Sequence, residues 1–242
     1  MSNEFPYPRY QLKRRFLRGL AAASLSLLCN FKVYGEENIP EGGPLLVVGN
    51  HFNFADPVLM LRIMPFPMEF LAGFHRPNAP AIVRWLPEVW GIYPVRRGGA
   101  SRTAMRAASA VMAQNGVLGM FPEGGAWTDH LRPARPGVSY IASTTNAQIL
   151  PIGIAGMPDL FPMLRKGKRA TVTVRIGKPF GPFTVEGRGR ARRSQLDEIG
   201  HEVTRHIGAL LPPERRGVYA DDPAIRAEAE KVANFPCEDL IG

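Results

Sequence analysis

Cysteine is nearly absent from this chain. Cys29 and Cys237 are its only two in 242 residues, and they form no CxxC pair. A disulfide framework and a thiolate zinc site are thereby excluded, and a reducing compartment is the default. Equally missing are a GxSxG nucleophile elbow, a Walker A loop and a GxGxxG dinucleotide fingerprint. Unbroken apolar runs are also lacking. The uncharged stretch 136–158 is long enough to span a bilayer, but Ser139, Ser143, Thr144, Thr145, Asn146, Gln148 and Pro151 interrupt it. His201-Glu202-Val203-Thr204-Arg205-His206 resembles the HExxH zinc motif with one residue too many. On a helix that spacing turns the second histidine about 140° from the first, so one metal cannot take both. Acidic charge is short as well. Lys and Arg total 30 against 21 Asp and Glu, a net charge of +9. That excess favours an anionic partner, whether lipid head groups, a phosphorylated substrate or nucleic acid.

What is present reads as one α/β domain, for which 242 residues suffice. Helical spacing runs from Arg9 to Phe31, with Leu12, Phe16, Leu20 and Leu27 near one face and Lys13, Arg14, Arg15 and Arg18 at its start. The uncharged part, from Gly19, is too short to cross a membrane. A basic, one-sided helix suits the bilayer interface, ahead of a core helix or a signal peptide. Strands are expected at 31–34, 45–48, 69–72, 91–95, 117–121, 149–154 and 171–176. Helices are expected from Pro57 to about Met64, Ser101 to Asn115 with Gly116 as stop, 137–146, from a Ser194–Asp197 capping box to Leu210, and 223–234. Alternation of this kind predicts a mixed, largely parallel sheet covered by helices. It divides the chain into a basic amphipathic segment (1–31), a central domain (32–211) and a polar tail (212–242).

Sites in such sheets collect on loops at strand ends. One loop stands out, Gly49-Asn50-His51-Phe52-Asn53-Phe54-Ala55-Asp56-Pro57, directly after the apolar run 45–48. His51 with a carboxylate five residues on can be a general base and its orienting group. Asp56-Pro57 is also an ordinary helix start, with Asp as N-cap and Pro at the first helical position. Arg97 and Glu123 likewise fall just beyond expected strands.

Asn50-His51-(four residues)-Asp56, Gly91 to Arg97, Phe121-Pro122-Glu123-Gly124 and Ile149-Leu150-Pro151-Ile152-Gly153 resemble, in order and spacing, the four blocks of the glycerolipid acyltransferase family. That family includes the bacterial 1-acylglycerol-3-phosphate acyltransferases. The resemblance runs from about Val33 to Met157 and implies transfer of a fatty acyl group from acyl-CoA or acyl carrier protein to a lysophospholipid hydroxyl, with no metal and no prosthetic group. His51 would be the base and Asp56 its partner. Arg97 stands at the family's phosphate-binding arginine, with Arg96 as a second anion contact. Glu123 would orient the acceptor or shape its loop, and Gly124 and Gly125 would let backbone approach the oxyanion. No Ser or Cys occupies a nucleophile position, so attack on the thioester should be direct.

The third block departs from the family, reading Gly125-Ala126-Trp127 where Thr-Arg is common. Arg132 or Arg135 would then compensate at the acceptor, or the head group differs. The expected partners are an anionic membrane surface, the lysophospholipid and the thioester donor, with the chain peripheral or monotopic on the cytoplasmic face of the cell membrane. Alternatives are a non-catalytic lipid-surface protein of the same fold, a thioesterase, and a nucleic-acid binder resting only on net charge and Arg188 to Arg193.

Overall fold

Leu45, Leu46, Val47 and Val48 are wholly buried, as expected of a strand covered on both faces. They lie in β2 (Leu45–Gly49), the middle strand of a seven-stranded sheet. The computed structural model describes residues 4–73, 85–95, 101–126 and 128–233. Its strands are ordered β1 (Cys29–Tyr34), β7 (Ala170–Ile176), β6 (Gln148–Ala155), β2, β5 (Val117–Met120), β3 (Glu69–Gly73) and β4 (Tyr93–Val95). Every neighbouring pair is parallel except β6 with β7. The expected mixed, largely parallel sheet is what forms.

Side chains alternate across a strand, so Leu45 and Val47 join one core and Leu46 and Val48 the other. Over the first lie α1 (Gln11–Leu28), α2 (Asp56–Ile63), α3 (Leu86–Trp90) and α6 (Leu160–Arg165). Over the second lie α4 (Arg102–Ala113), α5 (Pro136–Thr144) and α7 (Gly189–Leu210). Past α7 the chain folds back on the site side. Leu131 exchanges backbone bonds with Arg215 and Val218, ahead of α8 (Pro223–Lys231).

Two helix ends differ from expectation. α4 stops on Asn115, which takes the left-handed conformation (φ 55°), while the Gly116 N–H closes the end on Val111 O at 2.9 Å. Asn is the usual alternative to Gly at that position. α7 begins at Gly189, so Ser194 lies inside it and the capping box does not form. Arg and Ala at 190–193 are strong helix formers, and the Gln195 amide donates to Glu186 O at 2.9 Å, tying the extended start to the preceding loop.

α1 turns its long apolar side chains away from the protein. Leu12, Phe16, Leu20 and Leu27 are 83, 72, 54 and 75% exposed, and the inner face packs through Leu17, Leu25 and Leu28. Arg14 does not join the exposed basic face. It is buried, its guanidinium donating to both oxygens of buried Glu69 at 2.5 and 2.8 Å and to Trp90 O at 3.1 Å. Arg9 reaches the same carboxylate from outside and lies over the Tyr93 ring, 3.9 Å from its centroid. A two-pronged guanidinium–carboxylate contact fixes direction as well as distance, so α1 is clamped to the first residue of β3.

Removing one partner of a buried ion pair strands the other charge, at a cost of roughly 3–5 kcal/mol. Arg14→Met should lower the urea midpoint accordingly, whereas Arg15→Met, on the exposed side, should cost under about 0.5 kcal/mol. Equal shifts would show that the ion pair is not what docks α1.

Candidate active site

Asn50 follows the last residue of β2 and is fully buried. Its amide Nδ2 donates to Ile154 O at 2.8 Å, and its Oδ1 accepts the Ile154 N–H at 2.7 Å. The side chain thus continues the β2–β6 pairing while the main chain turns out of the sheet, and His51 leaves from a fixed point. Three residues after Asn50, Asn53 performs a second tie. Its Oδ1 accepts the Ala55 N–H at 3.0 Å and its Nδ2 donates to Met157 O at 3.2 Å.

The loop closes on Asp56. Oδ2 accepts the N–H groups of Phe52 (2.8 Å) and Asn53 (2.7 Å) and lies 3.1 Å from His51 Nδ1. The N-cap role expected of Asp56 is not what forms. Asp56 is itself the first residue of α2, Pro57 is second, and no side chain caps the helix. The carboxylate points back toward residues 51–53, which uses its lone pairs on the loop rather than on the helix's first turn. An ionised carboxylate only accepts, so Nδ1 carries the imidazole proton and Nε2 keeps its lone pair. The ring stacks on Phe121, with centroids 4.4 Å apart. Burial holds the Asp56 carboxyl above its ordinary value against the pull of His51 and the two amides.

The second half of the site comes from the end of β5, next to β2. Gly124 adopts φ 77°, which favours glycine, and its N–H donates to Phe121 O at 2.9 Å. The N–H of buried Gly125 has no acceptor among the described residues. Glu123 faces inward, 1% exposed. Its Oε1 accepts the His51 N–H at 2.7 Å and its Oε2 the Arg132 N–H at 3.3 Å. Arg132 Nε stands 3.5 Å from Oε2, and the same guanidinium donates to Gly125 O. Glu123 therefore shapes the loop, with both carboxyl oxygens turned onto His51 and Arg132. Arg132, also 1% exposed, is engaged with Glu123, which corrects the expectation that it replaces the missing arginine at the head group. Burial pushes the Glu123 carboxyl up to about 8 against the pull of Arg132 and the two amides, and burial lowers Arg132.

The structure therefore brings together His51, Asp56, Glu123, Gly124 and Gly125. Arg96, Arg97 and Trp127 lie outside the described residues. Three contributors carried no assigned role in the sequence: Asn50, Asn53 and Phe121. Two asparagines in one loop were a signal, since Asn favours turns through its own side chain. Ring stacking between residues 51 and 121 left none. The two α7 histidines diverge, His201 bonding Tyr219 Oη at 2.9 Å and His206 stacking on Phe180. Among the described residues no cluster of three His, Cys, Asp or Glu could hold a metal.

A carboxyl whose value is raised on folding stabilises the fold while protonated, and loses that contribution as pH climbs from its unfolded value, 4.5, toward about 8. The stability of the native chain relative to Glu123→Gln should therefore fall between about pH 5 and pH 8 in urea unfolding, where only the unfolded carboxyl is ionised. Parallel curves across that window would show that Glu123 is ionised in the folded protein throughout.

The chain matches 29% of residues over 134 positions with a 1-acyl-sn-glycerol-3-phosphate acyltransferase of Borreliella burgdorferi, 53% of this chain and 52% of that one. It spans about half the length of this curated relative. Its fold is similar to that of PlsC, the 1-acyl-sn-glycerophosphate (LPA) acyltransferase from Thermotoga maritima, at TM-score 0.56 and 18% identity, over 97% of this chain and 87% of that chain. The Acyltransferase family model matches residues 30–155, which hold both halves of the site. More than half of the chain is matched, and it belongs to the acyltransferase family.

Proposed function

We propose that this chain transfers a fatty acyl group from a thioester to the hydroxyl of a lysophospholipid, with 1-acylglycerol-3-phosphate as acceptor, in phospholipid biosynthesis. The observation that carries this reading is the His51–Asp56 pair, with Nδ1 held at 3.1 Å and Nε2 left as the base. Family membership and the names of the two relatives support the choice of reaction and acceptor.

An alcohol is a weak nucleophile until its proton is taken as it attacks. His51 Nε2 takes the acceptor's hydroxyl proton, and the oxygen adds to the thioester carbonyl carbon. The resulting imidazolium is stabilised by Asp56, whose carboxylate it faces. The developing oxyanion needs a donor aimed at it. The Gly125 N–H fits that role better than that of Gly124, which Phe121 O already occupies. Collapse of the tetrahedral intermediate expels the thiolate, which leaves as thiol with the proton from His51. Acyl-CoA or acyl carrier protein supplies the thioester, and Arg97 with Arg96 would hold the acceptor's phosphate. No residue of the chain carries the acyl group between steps. Cys29, the described cysteine, is buried at the start of β1.

The partner surface in this reading is an anionic bilayer on the cytoplasmic face of the cell membrane. The exposed row on α1 supports it, with Lys13 and Arg15 exposed alongside. No helix among the described residues is long and apolar enough to cross a membrane, so α1 would lie on the surface.

Acyl transfer from a thioester to detergent-dispersed lysolipids of several head groups is the test. His51→Ala should lower kcat by about 10²–10⁴ with an unchanged unfolding curve. Equal activity in that variant would overturn His51 as the base, and no transfer by the native chain with any of the lysolipids would point to a non-catalytic lipid-binding protein. Rapid quenching followed by intact-mass measurement should find no acylated chain at any time in the turnover; a trapped acyl-protein would overturn the direct attack.

A further inference from the structure

α6 and the turn after it combine two kinds of exposed chemistry. Phe161 is 39% exposed and Pro162 beside it is exposed too. Arg165, Lys166, Lys168 and Arg169 follow within one turn, all four exposed. None of the four pairs with a carboxylate among the described residues. The surrounding sequence is depleted of acid, with no Asp or Glu from Leu160 to Val185 or from Phe5 to Tyr34. Asp159, at the opposite end of α6, is the nearest acid in the chain, and a helix start suits it.

This turn adjoins α1. The Arg169 guanidinium donates to Ser26 O and Cys29 O at the end of that helix, next to exposed Leu27. On its other side Phe161 stacks on Phe54, with centroids 5.6 Å apart, and Phe54 lies in the loop between His51 and Asp56. α1, α2 and α6 cover the same face of the sheet. The exposed row of α1, the cationic turn and the aromatic pair at the site loop therefore follow one another along one side of the molecule.

We propose that Phe161 and the 165–169 turn form a second contact with an anionic bilayer, beside α1 and next to the His51 loop. Unpaired cations alone would suit nucleic acid equally well. An exposed aromatic immediately before them, continuous with an apolar helix face, suits a lipid interface, where rings enter the acyl boundary and cations meet phosphate. Two contacts also fix orientation, which α1 by itself would leave free about its own axis. The purpose of the surface rests on the acyl-transfer reading, but its existence does not.

The test is co-sedimentation of the full chain with phosphatidylcholine vesicles, with and without phosphatidylglycerol. Arg169 is kept because it bonds the end of α1, and the variant is Arg165→Gln, Lys166→Gln and Lys168→Gln together. Each charge near an anionic surface is worth about fivefold in partitioning, so the triple variant should bind phosphatidylglycerol vesicles roughly a hundredfold more weakly. Binding of the native chain should weaken with added salt. Phe161→Ala should weaken binding to both kinds of vesicle. Unfolding curves of both variants should match that of the native chain. Binding of the triple variant equal to that of the native chain overturns the proposal, as does binding of the native chain to duplex DNA but not to vesicles. His51→Ala should bind vesicles normally. Loss of acyl transfer and loss of lipid contact are thus read separately: turn-dependent vesicle binding without any transferase activity would leave the surface standing and remove the enzymatic reading.

Discussion

The carboxylate of Glu123 is where the two halves of the site are joined. One oxygen holds the backbone of His51 and the other holds the backbone of Arg132, so the loops after β2 and β5 share a single buried group. Hydrogen-bond donors make the arrangement tolerable. A buried carboxyl without water needs donors on its lone pairs, and Arg132 places both an amide and a guanidinium beside it. The same guanidinium reaches Gly125 O, so the Gly124–Gly125 turn is set by the atoms that set the histidine. Displacement of either loop would disturb the histidine and the glycine turn together.

α1 shows how one helix can serve two environments. Its inner face contributes Leu25 to the core and Arg14 to a buried pair with Glu69, while its outer face offers a row of apolar side chains to whatever lies outside. Burying the arginine is what makes the outer row meaningful. A helix held only by leucines could roll and hide its apolar face, whereas a two-pronged ion pair resists rotation.

Much of this was legible in the residues themselves. Strong periodicity located the strands within about two residues, because a buried central strand such as 45–48 advertises its environment locally, whereas the start of α7 at Gly189 was hidden by an apparent capping box at Ser194. His51 and Asp56 were legible because both belong to one short loop. What stayed hidden depends on where side chains point. Asp56 beside Pro57 reads as a cap from composition, yet its carboxylate turns backward to the loop. Arg132 reads as a free cation, and only the fold brings its guanidinium onto Glu123. Likewise Arg14 looks like one more charge in a basic run until Glu69, on a strand 55 residues away, meets it.

The amide of Asn50 also constrains what evolution can place there. Ile154 presents a carbonyl and an N–H side by side, so the facing group must donate at one atom and accept at the next. Aspartate would set a carboxylate against the carbonyl, and leucine of similar size would leave both main-chain groups dry and unmatched. Glutamine has the right polarity but one methylene too many for a sealed position. The main-chain N–H and carbonyl of one residue on β6 thus restrict the residue before the histidine to a single side chain, before any demand from the reaction itself.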